Sequence, residues 1–256
     1  MTGNRHRRRD FRRRFARRAV TATAVWALVL GVAVAALPVS AATIRVSQES
    51  SAGAGDFDSN ILGFVDSFDG GGLTASAYYS YGSPNVSSYN GVSNGGPAAL
   101  ANTVQNFFVD TAEGLSFFAV MNVPGGGSGN WQMHFDLSGD TVATLVADDG
   151  GEAPTVSGGG TTIDTGNSWV TCCTDGFVFG ALDGNWTLFA DVGGFSGVST
   201  WQVTDDGAGT VSLAIVADRR VRFDIAAEVA EPGTVAVLGL GLLGLGIVRR
   251  RRSHTV

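Results

Sequence analysis

The sequence predicts an all-β domain, an antiparallel β-sandwich of jelly-roll type, carried between an N-terminal signal helix and a C-terminal transmembrane helix. Three observations point there. Glycine fills 37 of 256 positions and clusters with Ser, Thr, Asn and Asp between short apolar runs, the punctuation of a chain that turns often. Several of those runs alternate apolar and polar residues, the period of a strand with one face in a core and one in water. Between the two terminal segments, no stretch repeats its apolar residues at a helical spacing.

Residues 5–18 hold nine arginines and one aspartate, Ala19 to Leu37 are apolar, and Pro38-Val39-Ser40-Ala41-Ala42 follows. A basic region, an apolar run and small residues before a cut site describe a secretory signal peptide over 1–41. Arg8-Arg9-Asp10-Phe11 and Arg12-Arg13-Arg14-Phe15 also fit a loose twin-arginine pattern, so both export routes stay open, as does an uncleaved signal-anchor.

The exported part, 42–227, reads as one domain without internal repeats. Thr43–Glu49 is a first strand and 50–55 a break; the second half of Asp56–Asp66 is a strand, and Leu73–Tyr81 another candidate. Residues 82–97 are Ser, Asn, Gly and Pro without periodicity, a long surface loop. Leu115–Met121 is apolar throughout, as in a central strand buried on both faces. Trp131, Met133, Phe135 and Leu137 alternate with Gln132, His134 and Asp136. Thr141–Ala147 is expected to pair with that strand across Ser138-Gly139-Asp140. Phe177–Leu182 and Trp186–Val192 are expected to form a hairpin through Asp183-Gly184-Asn185, because Asp-Gly supplies the positive φ of tight turns. Thr200–Thr204, Thr210–Ala217 and Arg220–Ala226 complete roughly ten to twelve strands.

Charge excludes some functions. From Ala42 to Glu231 the basic residues are Arg45, Arg219, Arg220 and Arg222, against twenty-two carboxylates, a formal charge of −18. The whole-chain value of −6 hides this, because thirteen of seventeen arginines lie in the terminal segments. Such a surface repels nucleic-acid phosphates. It either attracts divalent cations or keeps the domain soluble.

The residues offer little catalytic chemistry. His134 is the one histidine of the exported part, no Gly-x-Ser-x-Gly elbow is present, and zinc chemistry wants more imidazole or thiolate than the chain has. Paired carboxylates for glycoside hydrolysis cannot be counted out, but most acids fall in turns that already explain them. The expectation is therefore a non-enzymatic protein without a cofactor, calcium apart. Asp56, Asp58 and Asn60 repeat the 1-3-5 oxygen spacing of a calcium loop, though Ile61 and Ser67 stand where an EF-hand needs Gly and Glu. Asp148, Asp149 and Glu152 are the alternative oxygen set. Cys172 and Cys173 are adjacent and have no other partner in the chain; a vicinal disulfide, intermolecular bridges and free thiols all remain open.

The C-terminal segment, 228–256, has three parts in fixed order: Glu231-Pro232-Gly233-Thr234, an uncharged run over Gly233–Val248, and Arg249, Arg250, Arg251 and Arg252. As a helix the run reaches roughly 24 Å, just short of a bilayer core, and the arginines hold its end on the cytoplasmic side. The order resembles the PEP-CTERM sorting signal, with Ala230 where that family usually has its first proline. A plain single-pass anchor is the other reading. The resemblance implies recognition by an exosortase-type membrane transpeptidase, insertion in the inner membrane during sorting, and delivery to the cell surface or matrix of a Gram-negative bacterium, often with exopolysaccharide and biofilm. More loosely, 106–149 and 172–217 resemble the exported β-sandwich region of such proteins, with no activity implied. A calcium-dependent or carbohydrate-binding adhesion module is the alternative function, and an exopolysaccharide hydrolase a more distant one.

Overall fold

Among the described residues the alternating runs become fourteen strands in two sheets. The computed structural model describes residues 41–81, 89–207, 209–216 and 218–226; the segments read from the sequence as a signal helix and as a sorting signal with a transmembrane run lie outside them. Among the described residues no helix is long and apolar enough to cross a membrane.

Sheet A runs β2 (Ile61–Asp66), β1 (Thr43–Gln48), β14 (Val221–Ile225), β11 (Thr187–Ser196), β6 (Gly129–Ser138), β9 (Thr162–Trp169), β8 (Thr155–Ser157). All its pairings are antiparallel. Sheet B runs β13 (Thr210–Leu213), β12 (Thr200–Thr204), β4 (Thr103–Thr111), β5 (Gly114–Met121), β10 (Asp175–Leu182), β7 (Ala143–Ala147). It is mixed, because β12 and the two-residue β3 (Phe68–Asp69) both pair parallel to β4.

The core lies between the sheets and is built by the predicted alternation. Ile44 and Val46, Phe117 and Ala119, every second residue from Trp131 to Leu137 and from Leu188 to Val192, and Val221 and Phe223 all point into it. Phe117 stacks on Phe179 with centroids 4.9 Å apart and meets Phe135 edge-on at 5.4 Å, the offset and T-shaped contacts that ring quadrupoles prefer. Sheet B is covered on its other face too. Phe107, Phe118, Val120 and Val178 pack there under Tyr78, Tyr79 and Tyr89, so β4 and β5 are buried on both faces.

The cover corrects one expectation. Residues 75–79 are a short helix, α1 (Ala75–Tyr79), not a strand. Thr74 caps it by accepting from Ala77 N–H at 3.2 Å, and Ser80 ends it in a left-handed conformation at φ 54°. A side-chain cap with Ala and Ser in the first turn decides for helix, and burial of Tyr78 and Tyr79 on sheet B holds it there. Within the expected 82–97 loop, Tyr89 is buried and Gly91–Asn94 is a 3-10 turn.

Two hairpins are corrected as well. β6 and β7 are not partners: β7 pairs with β10 in the other sheet. The Asp183-Gly184-Asn185 turn likewise carries the chain from β10 in sheet B to β11 in sheet A. Gly139 and Gly184 do take positive φ, 88° and 66°, so the reversals are real. A turn signal states that the chain reverses, and is silent about which sheet receives it.

Candidate functional site

The outer face of sheet A gathers three of the four arginines of the described domain. In β14, Val221 and Phe223 face the core, so Arg220, Arg222 and Asp224 face out. Antiparallel register then sets their neighbours: Asp224 lies opposite Arg45 on one side and Thr187 on the other, and Arg222 lies opposite Phe189. One strand further, Phe189 faces Asp136, Asp191 faces His134, and His134 faces Asp164.

These groups form a ladder of ion pairs. Asp224 accepts from Arg45 Nε at 2.8 Å and forms an ion pair with Arg222, whose Nε lies 2.9 Å from its Oδ2. Arg220 bridges Asp136 at 2.7 Å and Asp191 at 2.9 Å while lying over the Phe189 ring, 4.8 Å from its centroid. His134 sits between Asp164, 2.7 Å from Nδ1, and Asp136, 3.3 Å from Nε2. The Asp164 hydrogen bond, aided by Asp136 and opposed by partial burial, raises the imidazole above its ordinary 6.5.

The segment read as a calcium loop lies against this ladder. Asp58 pairs with Arg222, and Phe57 packs on Phe189 at 5.3 Å and under Arg222 at 5.2 Å. Asp56 accepts from Ser59 N–H and Oγ, and Asn60 donates to the Gln48 carbonyl at 2.6 Å. Each of Asp56, Asp58 and Asn60 thus has a different protein partner. Asp148 and Glu152 of the alternative oxygen set are likewise taken up separately: Asp148 accepts from the Tyr79 hydroxyl, Glu152 from Ser168.

Beside the ladder an open groove of roughly 420 Å³ is lined by Arg45, Ser138, Asn185, Thr187, Phe189 and Arg222, with Asp224 at its floor. Guanidinium and amide donors, a doubly anchored carboxylate, two hydroxyls and a ring edge make a mixed polar and aromatic surface suited to a polyhydroxylated ligand.

At the β9–β10 end, Cys172 and Cys173 are joined by a disulfide in the connection between the two sheets. Beside it Asp175, 3 % exposed, accepts from Asn167 Nδ2 at 3.1 Å and from Gly176 N–H at 2.7 Å. Burial, and then the facing Glu152 carboxyl within hydrogen-bonding reach, push Asp175 well above the usual carboxylate range.

Of the residues singled out from the sequence, Glu231, Pro232, Gly233 and Arg249–Arg252 lie outside the described residues. The Arg220, Arg222, Asp224 alternation was visible in the sequence. Its partners on β1, β6 and β11 were not, because no local signal gives register between distant strands. No family model, curated protein or solved structure matches the chain, and the site is therefore read from its geometry.

Proposed function

We propose that this is an exported, non-enzymatic protein of the cell envelope or extracellular matrix, a jelly-roll-like sandwich that holds exopolysaccharide in the sheet A groove. The observation that carries the reading is the placement of the arginines. A domain with four basic residues among twenty-two carboxylates sets Arg45, Arg220 and Arg222 on one face, beside an aromatic ring and free hydroxyls. Guanidinium donors, carboxylate, amide and hydroxyl acceptors, and a neighbouring ring meet the alternating hydroxyl and C–H faces of a sugar. The chain's repeated crossing between sheets from β5 to β12, interrupted by the β8–β9 hairpin within sheet A, supports the jelly-roll reading.

Addressing follows from the resemblance of the C-terminal segment. An exosortase-type transpeptidase would recognise Glu231, Pro232 and Gly233, with the run over 233–248 in the inner membrane and Arg249–Arg252 on its cytoplasmic side. The intact mass of the protein recovered from cells tests this. A species lacking residues up to Ala41 or Ala42 and the tail beyond the Glu231-Pro232 turn is expected, and an uncut cytosolic chain would end the reading.

Binding is tested separately, with surface polysaccharide from the producing cells immobilised as the probe. Retention of the full chain, lost in Arg45→Ala and Phe189→Ala, is expected. Unchanged retention in both variants removes the groove from the account. Time-dependent release of sugar, abolished by changing one carboxylate, would replace binding with hydrolysis.

A further inference from the structure

We propose that Asp175, Glu152 and Asn167 form a calcium site where β9 passes into β10. Asn167 lies on sheet A and Asp175 on sheet B, so the site joins the two layers at one end of the sandwich. Two buried oxygens there have no hydrogen-bond donor: Oδ2 of Asp175 and Oδ1 of Asn167, the latter residue 2 % exposed. They are neighbours, because Asn167 Nδ2 already donates to the other oxygen of Asp175. An amide oxygen and a carboxylate oxygen left bare in a core are costly unless something fills the gap.

Glu152 supplies the third side. Its carboxylate is held by Ser168 N–H at 3.0 Å and Ser168 Oγ at 2.6 Å, one residue from Asn167. Its carboxyl meets that of Asp175 within hydrogen-bonding reach. No arginine acts on Asp175 among the described residues, and the arginine ladder lies on the far side of sheet A. Two carboxylates thus face each other with no protein cation between them.

The donor set selects the ion. Two carboxylates and an amide oxygen are hard ligands, and the nearby sulfurs are tied up in the Cys172–Cys173 bond, so zinc and copper gain nothing here. Calcium accepts uneven geometry and completes its six to eight ligands with water, whereas magnesium demands near-octahedral order. Among the described residues no three Asp, Glu, His or Cys side chains group as a metal cage. The site therefore rests on two acids and an amide, and belongs to the weak extracellular class with Kd of about 0.1–1 mM. Asp148 is not part of it. Phe177 pairs with Ala147, so Asp148 lies opposite Gly176 and projects to the other face of sheet B from Asp175.

Calorimetry with calcium chloride on the full chain in detergent tests the proposal. One calcium per chain with Kd of about 0.1–1 mM is expected, with no displacement by equal magnesium. Glu152→Gln should weaken binding by at least about tenfold, whereas Asp58→Asn, on the arginine ladder, leaves it unchanged. Asn167→Asp adds a third carboxylate, so its affinity for calcium should rise while its melting temperature without calcium falls. That comparison holds the test open should Glu152→Gln fail to fold. Absence of calcium binding up to about 10 mM overturns the proposal. So does binding that ignores both Glu152→Gln and Asn167→Asp, which would place the ion on the acidic surface.

Discussion

Tyr79 donates its hydroxyl to Asp148 Oδ2 at 3.0 Å, tying α1 to the end of β7 through a bond buried on the covered face of sheet B. Burial pushes the Asp148 carboxyl up to about 7, against hydrogen bonds from Tyr79 and Tyr81 that pull it down. In the unfolded chain the same group titrates near 3.8. Between those values the folded chain holds a proton that the unfolded one has released, so stability falls as pH rises from about 4 to 7 and levels off above. Asp148→Asn keeps an acceptor for Tyr79 and removes the charge. It should stabilise the protein at pH 8 by about 1–3 kcal/mol, with ~4 kcal/mol the ceiling for a group moved that far. Urea unfolding of both proteins at about pH 5 and pH 8 checks it; an equal difference at the two pH values would contradict the assignment.

His134 gives a second pH effect of the same sign in a different window. Its imidazole is raised above 6.5 by Asp164 first and Asp136 next. Its contribution is therefore fully present below about 6.5 and lost as pH climbs through the folded value. Proton NMR titration of His134 should show a midpoint above 6.5, moving back toward it in Asp164→Asn. The side chain is 41 % exposed, so the accompanying change in stability is small.

Trp201 donates its indole N–H to Asn106 Oδ1 at 2.6 Å, and both residues are fully buried. Trp201→Phe strips the amide of that bond, and Asn106 Nδ2 already lacks a partner. The expected loss is about 2–4 kcal/mol, from an orphaned polar group and a smaller ring. Adding Asn106→Leu should recover part of it, since replacing both partners by apolar groups costs less than leaving one behind. Denaturant midpoints of the two single variants and the double variant measure the coupling, and additive losses would refute it.

The Cys172–Cys173 bond predicts a chemical result and a thermodynamic one. Without reductant, neither cysteine should take an alkylating label; after reduction, both should. Replacing both with serine should cost less than about 1 kcal/mol of global stability, because a bridge between adjacent residues closes no long loop. Labelling of the untreated protein followed by peptide mass analysis decides the first point, and thermal melting the second.

Much of this could be read from the chain alone, and the failures share a cause. The alternation over 131–137 and 220–226 marks strand and face correctly, because side-chain direction along a strand is local. The 75–79 helix was missed because its signal is one capping threonine among small residues, and its stability comes from two tyrosines docking on a sheet formed elsewhere. The β6–β7 and β10–β11 reversals were visible, but their crossing between sheets depends on how the whole core packs. Asp175, Asn167 and Glu152 carry no spacing signal, since a loop and a change of sheet bring them together.

The pairing of β1 with β14, Arg45 opposite Asp224, has a kinetic consequence. Of the described strands, the first to be synthesised sits beside the last, so sheet A cannot be completed until some 180 residues have followed. Until then β1 waits with one edge open and half its core absent. Closure over that distance is slow, because chain entropy is lost long before the contacts that repay it exist. A polypeptide wired this way cannot close sheet A until the last of its described strands has been made.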